Sequence, residues 1–263
     1  MDQRTSADPE ALLALATECA REAGAMLRES FLRATHETST KSTPTDLVSE
    51  ADFAAERLIR EKLGAARPDD GILGEEEGDS RGSSGLRWVV DPLDGTVNFL
   101  YGIPQWAVSI ACEDSSGVLA GVILDPMRDE EWTARVGDGP RCNGERVAPS
   151  GCRRASEALV ATGFGYAAEV REVQARVIAR ALPQIRDIRR LGSAALDMAW
   201  LAGGRCDAYF ERGVKHWDIA AGMLLCTGTG LEIRELAPLG AAPAGIVVAH
   251  PELAAELAPI LED

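Results

Sequence analysis

The sequence predicts a mixed α/β protein, and three patterns support this prediction. Residues 9–33 and 49–65 repeat apolar positions at helical spacing. Residues 106–132 instead contain alternating or continuous apolar runs between turn residues, which is typical of a strand meander. Towards the C-terminus, strand-like and helix-like segments alternate. We therefore expect two α and β halves that pack together as one unit.

The N-terminal half, residues 1–150, begins with the two predicted helices. Pro9 suits a first helical turn, and Gly64 with Pro68 ends the second helix. Further along, the apolar runs WVV and GILG lead into acidic residues and are interpreted as buried strands. The expected strands of this half start from GILG at 71–74 and WVV at 88–90, and continue at 106–113, 117–125 and 130–136.

The C-terminal half, residues 151–263, begins after a short Pro-Ser-Gly segment that is too short to be a free linker. Its apolar periodicity predicts both element types. The expected strands are at 158–164, 187–191, 206–211, 230–236 and 245–250. The expected helices are at 169–182, at 193–203, from about 217, and at 251–262.

Composition and charge argue against several classes of function. Acidic residues outnumber basic ones by 42 to 27, and the net charge of −15 opposes binding to a phosphate backbone. No apolar run approaches the ~20 residues that span a bilayer, and no signal-peptide pattern is seen. The six cysteines form no CxxC pair. We expect a cytoplasmic protein with reduced thiols, no membrane segment and no nucleic acid as primary ligand.

Two acids stand where a predicted buried strand ends, in DPLDGT at residues 91–96. A turn at Pro92 would bring Asp94 beside Asp91 and turn the Leu93 carbonyl inward. Oxygen atoms of this kind are the ligands that Mg²⁺ prefers. Gly95 and Thr96 would then open a helical turn whose free N–H groups attract phosphate. An ordinary Asp-rich surface turn is the alternative.

Two more acidic segments have both a structural and a functional interpretation. GEE at 74–76 follows a short apolar strand, and such glutamates are commonly part of a solvated loop. Asp218 lies in HWDIAAG at the start of a predicted helix, where an aspartate commonly caps the helix. Neither segment predicts a metal site when it is taken alone.

Four motifs together resemble the inositol monophosphatase family: TDLVSEAD (45–52), GEE (74–76), DPLDGT (91–96) and WDIAAG (217–222). Their order and spacing match that family over nearly the whole chain. The resemblance implies a layered αβαβα sandwich of the sugar-phosphatase type. It also implies a magnesium-dependent, lithium-sensitive phosphatase that forms a homodimer.

The resemblance also assigns roles to individual residues. The implied Mg²⁺ ligands are Glu75, Asp91, the Leu93 carbonyl, Asp94 and Asp218. Glu75 is also implied to be catalytic, together with Asp52 and Thr96, which would orient the attacking water. Gly95 and Thr96 would hold the phosphate, and Gly192, Ser193, Ala194 and Glu211 would contact the sugar alcohol. Lys41 corresponds to a loop lysine near the metals. Val97 and the segment 163–170 depart from the family pattern.

The expected reaction is hydrolysis of inositol monophosphate by in-line attack of a metal-activated water. Histidinol phosphate, fructose 1,6-bisphosphate and 3′-phosphoadenosine nucleotides are alternative substrates. Glu211 favours a polyol because a carboxylate accepts hydrogen bonds from hydroxyls, but it would equally accept them from the ammonium group of histidinol. A haloacid-dehalogenase-type phosphatase is disfavoured because its acids are spaced DxD rather than DxxD. A non-catalytic regulatory binding protein is a further alternative.

Two other chemical patterns are interpreted as structural. Cys206 and Arg212 have the spacing of cysteine-dependent phosphatases, but the residues between them are acidic, bulky and free of glycine. Such a segment cannot surround a phosphate with N–H groups. His216 near a helix start is expected to be structural rather than a general acid.

Overall fold

The computed structural model describes residues 8–36 and 44–262. Within these residues, seven α-helices and thirteen strands are present. The helices are α1 (Pro9–His36), α2 (Pro44–Ala66), α3 (Thr96–Leu100), α4 (Ala168–Ala181), α5 (Ala194–Ala202), α6 (His216–Gly228) and α7 (Pro251–Glu262). The first eight strands are β1 (Gly71–Gly74), β2 (Asp79–Ser80), β3 (Arg87–Asp94), β4 (Ala107–Asp114), β5 (Gly117–Asp125), β6 (Glu130–Arg135), β7 (Asp138–Cys142) and β8 (Glu145–Arg146). The other five are β9 (Leu159–Thr162), β10 (Asp187–Arg189), β11 (Ala208–Arg212), β12 (Glu232–Leu236) and β13 (Gly245–Ala249).

The strands form two sheets. The first has the order β2-β1-β3-β4-β5-β6-β7-β8 and is antiparallel except where β1 pairs with β3. The second has the order β10-β9-β11-β13-β12, with β9 parallel to both of its neighbours and β13 antiparallel to both of its own. Both sheets are therefore mixed.

The helices separate and cover the two sheets in an αβαβα stack. Helices α1 and α2 pack on one face of the first sheet, and α5 and α6 lie on its other face. Helices α5 and α6 also contact the second sheet, whose outer face is covered by α4 and α7. The layered sandwich predicted from the family resemblance is confirmed.

Apolar side chains fill the spaces between these layers. Under α1, the rings of Phe31, Phe99 and Trp106 are in mutual contact, with centroids 5.1 to 5.7 Å apart. Trp132 is buried on the other face of the first sheet, in the cluster shared with α5 and α6. Burial of such large apolar surfaces is the main stabilising contribution to the fold.

The segment around Pro92 differs from its predicted geometry. We expected a turn there, but β3 continues through Asp94, and its pairing with β4 shifts register between Asp91 and Asp94. Proline has no N–H for the ladder, and the Leu93 N–H donates to Asp91 Oδ1 at 3.1 Å instead of to a strand. The strand therefore bulges where a turn was expected.

Most predicted elements lie within a few residues of the observed ones, whereas β2, β7 and β8 had not been predicted. The first sheet contains residues up to Arg146, and the second begins at Leu159. A division into halves near residue 150 stays a prediction. In the described part of the chain, every helix is too short or too polar to span a membrane.

Candidate functional site

A cavity of about 400 Å³ opens where the ends of β1 and β3 meet the first turns of α3, α5 and α6. Of the predicted site residues that the structure describes, all except Asp52 line it. They are Glu75, Asp91, Leu93, Asp94, Gly95, Thr96, Gly192, Ser193, Ala194, Glu211 and Asp218. The fold thus brings together acids that are far apart in the sequence.

Parallel pairing of β1 with β3 places Glu75 beside Asp91. Gly74 is paired with Val90, so the next residue on each strand, Glu75 or Asp91, reaches the same edge of the sheet. Asp91 is buried, at 1% exposure, and Glu75 lies in the turn that follows β1. Both side chains line the cavity.

Asp94 connects β3 of the first sheet to the start of α5 across the cavity. Its Oδ2 accepts hydrogen bonds from Ser193 Oγ at 2.5 Å and from the Ala195 N–H at 2.7 Å. Ser193 is the N-cap of α5, and its Oγ accepts from the Leu196 N–H. The negative charge of Asp94 therefore lies at the positive N-terminal end of a nine-residue helix.

Gly95 and Thr96 form the junction between β3 and α3. Gly95 is the N-cap and has a φ of 101°, which favours glycine. The Thr96 hydroxyl donates to the Leu93 carbonyl at 3.0 Å. Behind it, Asp52 is 2% exposed, and its Oδ1 has no hydrogen-bond partner among the described residues.

Asp218 lies in the first turn of α6, whose N-cap is Lys215. Its Oδ2 accepts from the Lys215 N–H at 2.6 Å. The helix is also held at His216, whose Nε2 is 2.7 Å from Glu113 Oε2 on β4. This contact agrees with a structural role for His216.

Glu211 lies on the opposite wall of the cavity, on β11. Tyr209 Oη is 2.9 Å from Glu211 Oε2, so the phenol can donate to the carboxylate. Gly163 leaves room for this side chain, because a Cβ at residue 163 would lie 2.1 Å from the carboxylate oxygens of Glu211. The glycine of the atypical segment 163–170 therefore has a steric role.

Burial and mutual repulsion raise the pKa values of the acids around the cavity. Burial is the largest cause for each, and it raises the pKa of Glu75 to about 7, with Asp218 as the next cause. The pKa of Asp94 is likewise about 7, although its hydrogen bond from Ser193 opposes the shift. The pKa of Asp91 is raised well above its ordinary value by burial and then by Asp94.

Asp52 and Glu211 show the same effect. Burial, followed by the charges of Glu76 and Glu75, raises the pKa of Asp52 to about 8, and the Thr96 hydroxyl opposes the shift. Burial raises the pKa of Glu211 to about 7, against the hydrogen bond from Tyr209. So many enclosed acids require a compensating positive charge.

The donor chemistry of these acids fits a hard divalent cation such as Mg²⁺, because every donor is an oxygen atom. Within residues 8–36 and 44–262, however, no three His, Cys, Asp or Glu side chains are grouped closely enough to hold a metal ion in their present positions. Asp94 instead uses an oxygen in hydrogen bonds to the start of α5, and Asp218 uses one in a hydrogen bond to the N-cap of its own helix. A cation would compete with these donors for the carboxylates.

Sequence reasoning missed several residues around the cavity. Arg190 and Lys215 supply positive charge to its lining. Glu56 supports the turn after β1, and its spacing of four residues from Asp52 on one helix was an available signal. Lys41 lies outside the described residues. Cys206, in contrast, does not line the cavity.

Several known proteins resemble this chain in sequence. A model of the inositol monophosphatase family matches residues 8–263. Inositol-1-monophosphatase SuhB of Mycobacterium tuberculosis is 43% identical over 232 residues, which are 84% of this chain and 80% of that protein. Nus factor SuhB of Pseudomonas aeruginosa is 40% identical over 230 residues, which are 83% of each protein.

A solved structure has the same layered α/β fold. Mycobacterium tuberculosis SuhB superposes with a TM-score of 0.83 at 38% identity, and the match covers 97% of both chains. Fold and sequence therefore agree. The chain belongs to the inositol monophosphatase family.

Proposed function

We propose that this chain is a magnesium-dependent phosphomonoesterase that acts on a phosphorylated polyol, with inositol monophosphate as the leading substrate. Family membership supports phosphatase activity. The observation that carries the proposal is the convergence of Glu75, Asp91, Asp94 and Asp218 on one cavity, where three helices also begin. The acids suit a cation, and the helix N-termini suit a phosphate group.

The proposed ligands of Mg²⁺ are Glu75, Asp91, the Leu93 carbonyl, Asp94 and Asp218. When bound, the cation would screen the phosphate dianion and lower the pKa of water. The backbone amides of Gly95 and Thr96, at the start of α3, would hold phosphate oxygens.

The remaining residues would orient water and the polyol. Thr96 and the buried Asp52 behind it would position the water for in-line attack on phosphorus, without a covalent enzyme intermediate. Glu211 would accept hydrogen bonds from the substrate hydroxyls on the opposite wall. Gly192, Ser193 and Ala194 would contact the sugar alcohol where α5 begins.

A substrate panel tests this proposal. Phosphate release should be measured with and without Mg²⁺ for inositol 1-phosphate, histidinol phosphate, fructose 1,6-bisphosphate and 3′-phosphoadenosine 5′-phosphate. The proposal expects the highest kcat/KM for inositol 1-phosphate, loss of activity with EDTA, and inhibition by LiCl. A higher kcat/KM for another compound would refute the substrate assignment. Absence of Mg²⁺-dependent phosphate release from all four compounds would refute the proposed phosphatase activity.

A second candidate function comes from the 40% identity to the protein named Nus factor SuhB. The chain would then act as a Nus factor, with or without catalysis. Retention of all the cavity acids supports an active enzyme. An inactive wild-type protein in the four-substrate panel would favour this second candidate.

We also propose a homodimer, on the family resemblance alone. Light scattering coupled to size-exclusion chromatography would test it. A mass near twice 28.0 kDa is expected, and a mass near the single-chain value would refute it.

A further inference from the structure

We propose that Glu56 is a positioning residue for Glu75: its carboxylate, on α2, fixes the backbone of the turn that carries Glu75. The inference rests on the proposed function, because it takes Glu75 as a metal ligand. Glu56 does not line the cavity, so it would act through the turn and not on the substrate.

The contacts of Glu56 with the turn are direct. Oε2 accepts from the Glu76 N–H at 2.7 Å, and Oε1 accepts from the Glu77 N–H at 3.0 Å. The side chain of Glu56 is fully buried. Hydrogen bonds to a buried carboxylate are strong, so both amides after Glu75 are held in fixed positions.

Arg60 completes the support from the next turn of α2. Its Nε donates to Glu56 Oε1 at 2.7 Å, and its Nη2 donates to the Gly78 carbonyl at 2.5 Å. The guanidinium therefore balances the charge of Glu56 and binds the far end of the same turn. Residues 76 to 78 are all attached to α2 through this pair.

Gly74 shows how closely Glu56 and the turn are packed. A Cβ at Gly74 would lie 2.1 Å from Glu56 Oε1 and 2.8 Å from Arg60 Nη2. The Glu56 carboxylate thus packs against the backbone of Gly74, before Glu75, and accepts hydrogen bonds from the backbone that follows Glu75. Movement of Glu56 should be transmitted to Glu75.

The chain offers a matched control at Asp125. This carboxylate is also fully buried and accepts two turn amides, those of Met127 and Arg128, both at 3.0 Å. Arg128 Nη1 donates to its other oxygen at 2.7 Å. Asp125 has the same pattern of partners as Glu56, but its turn does not line the cavity.

The experiment compares Glu56→Gln with Asp125→Asn, because each removes one charge with little change in volume. Amide hydrogen exchange, measured by NMR without metal, should show protection at Glu76 and Glu77 falling by about tenfold in Glu56→Gln, as expected for a lost bond to a charged group. Asp125→Asn should leave those two amides unchanged.

Enzyme kinetics and metal binding supply the second measurement. Glu56→Gln should raise the Mg²⁺ Kd, measured calorimetrically, and lower kcat by about 10- to 100-fold, the range seen when residues supporting metal ligands are changed. The KM for inositol 1-phosphate should change by less than about threefold, because other residues would bind the polyol. Asp125→Asn should keep wild-type values.

Arg60→Lys keeps the test decisive if Glu56→Gln does not fold. Lysine keeps the charge but lacks the planar fork that reaches both Glu56 and Gly78. It should reproduce the same changes to a smaller extent. The inference would be overturned if Glu56→Gln and Asp125→Asn had equal effects. It would also be overturned if amide exchange and Mg²⁺ binding were unchanged in both Glu56→Gln and Arg60→Lys. An inactive wild-type protein would instead refute the proposed function.

Discussion

Asp91 is the most enclosed of the acids that line the cavity. It is 1% exposed, and its Oδ1 also accepts the Leu93 N–H that shapes the bulge in β3. Its charge faces Asp94, Glu75 and Asp218, all of which raise its pKa after burial. A buried negative charge that faces three other acids is destabilising unless a cation or a proton compensates for it.

Replacing Asp91 with Asn removes the negative charge of this side chain and keeps its size, so the effect of the charge can be measured by itself. We expect Asp91→Asn to fold normally, because the amide oxygen can still accept from Leu93, and to lose at least about 100-fold in kcat through the lost metal ligand. Phosphate release at saturating Mg²⁺ measures this loss, and near-ultraviolet circular dichroism checks the fold. Near-normal turnover by a folded Asp91→Asn variant would contradict the assignment of Asp91 as a ligand.

At the scale of residues, the sequence predicted those site positions that lie within compact motifs. Asp91 and Asp94 are three residues apart, and Thr96 follows directly, so one short segment contained their chemistry. Arg190 could not be predicted in this way, and for Glu56 the one signal was its helical spacing from Asp52. Each looks like an ordinary charged residue, and its position at the site depends on packing between distant elements.

The junction between β3 and α3 shows how one glycine shapes an element boundary. Gly95 has a left-handed φ of 101°, and a Cβ there would lie 2.9 Å from the Gln105 carbonyl oxygen and 3.1 Å from Trp106 Cα. Both neighbours are backbone atoms, which cannot rotate away. The start of α3 therefore requires glycine for two separate reasons.

We expect Gly95→Ala to destabilise the protein by about 1–3 kcal/mol and to lower kcat/KM, because α3 must move relative to β3. Gly85→Ala is the matched control: Gly85 has a φ of 87°, but no atom lies within 4 Å of its added Cβ. The control should show only the conformational cost, about 1–2 kcal/mol, and full activity. Urea unfolding and kinetics measure both variants, and unchanged kcat/KM in Gly95→Ala would contradict this account.

Asp70 connects α2 to the first sheet. Its carboxylate accepts hydrogen bonds from Arg67 Nε at 2.8 Å, Ser84 Oγ at 2.6 Å and Trp88 Nε1 at 3.0 Å. Burial alone would raise the pKa of Asp70, but these donors outweigh burial and the pKa is lowered. Asp70 therefore stabilises the fold above its unfolded pKa, and this contribution disappears as pH falls through the folded pKa.

Asp70→Asn should accordingly lower the free energy of unfolding by about 1.5–3 kcal/mol at pH 7, the value of hydrogen bonds to a charged group. The difference in the free energy of unfolding between Asp70→Asn and wild type should decrease below about pH 4. As the pH falls, the wild-type carboxyl is protonated first in the unfolded chain and then in the native state. Urea unfolding at pH 7 and pH 3.5 measures it. A difference that is the same at both values would rule out the charge as its cause.

Element prediction succeeded where hydrophobic periodicity was strong. The strand at 117–125 and the helix at 251–262 have their predicted bounds. Strands β2 and β8 have two residues each, which is too short to show any period. The bulge at Pro92 was missed because proline is common in turns, and only pairing with β4 shows that the strand continues.

The whole molecule is organised around its middle layer. Helices α5 and α6 contact both sheets, and their first turns carry Ser193 and Asp218 to the cavity. Strand order could not be obtained from periodicity: β1 pairs with β3 in parallel, while the short β2 lies at the edge beyond β1. The αβαβα arrangement was predicted only through the family resemblance, which carries information on long-range pairing.

Because the proposed ligands come from the first sheet and from α6, a cation bound among them would connect these two layers. Without it, the charge of Asp218 repels Glu75 and Asp94, and this repulsion adds to burial in raising the pKa values of both. The unfolded chain cannot assemble these acids, so Mg²⁺ would bind the native state preferentially. Binding should therefore stabilise the whole fold.

At 100 times its Kd, Mg²⁺ should add about 2.7 kcal/mol to the free energy of unfolding. For a chain of this length, that corresponds to a rise in Tm of roughly 5 to 10 °C. Differential scanning calorimetry with MgCl₂ measures the shift, with NaCl at equal ionic strength as the control, because salt also screens the net charge of −15. Asp91→Asn should lose most of the Mg²⁺ shift and keep the NaCl response. An equal Mg²⁺ shift in wild type and Asp91→Asn would place the stabilising cation somewhere other than this cavity.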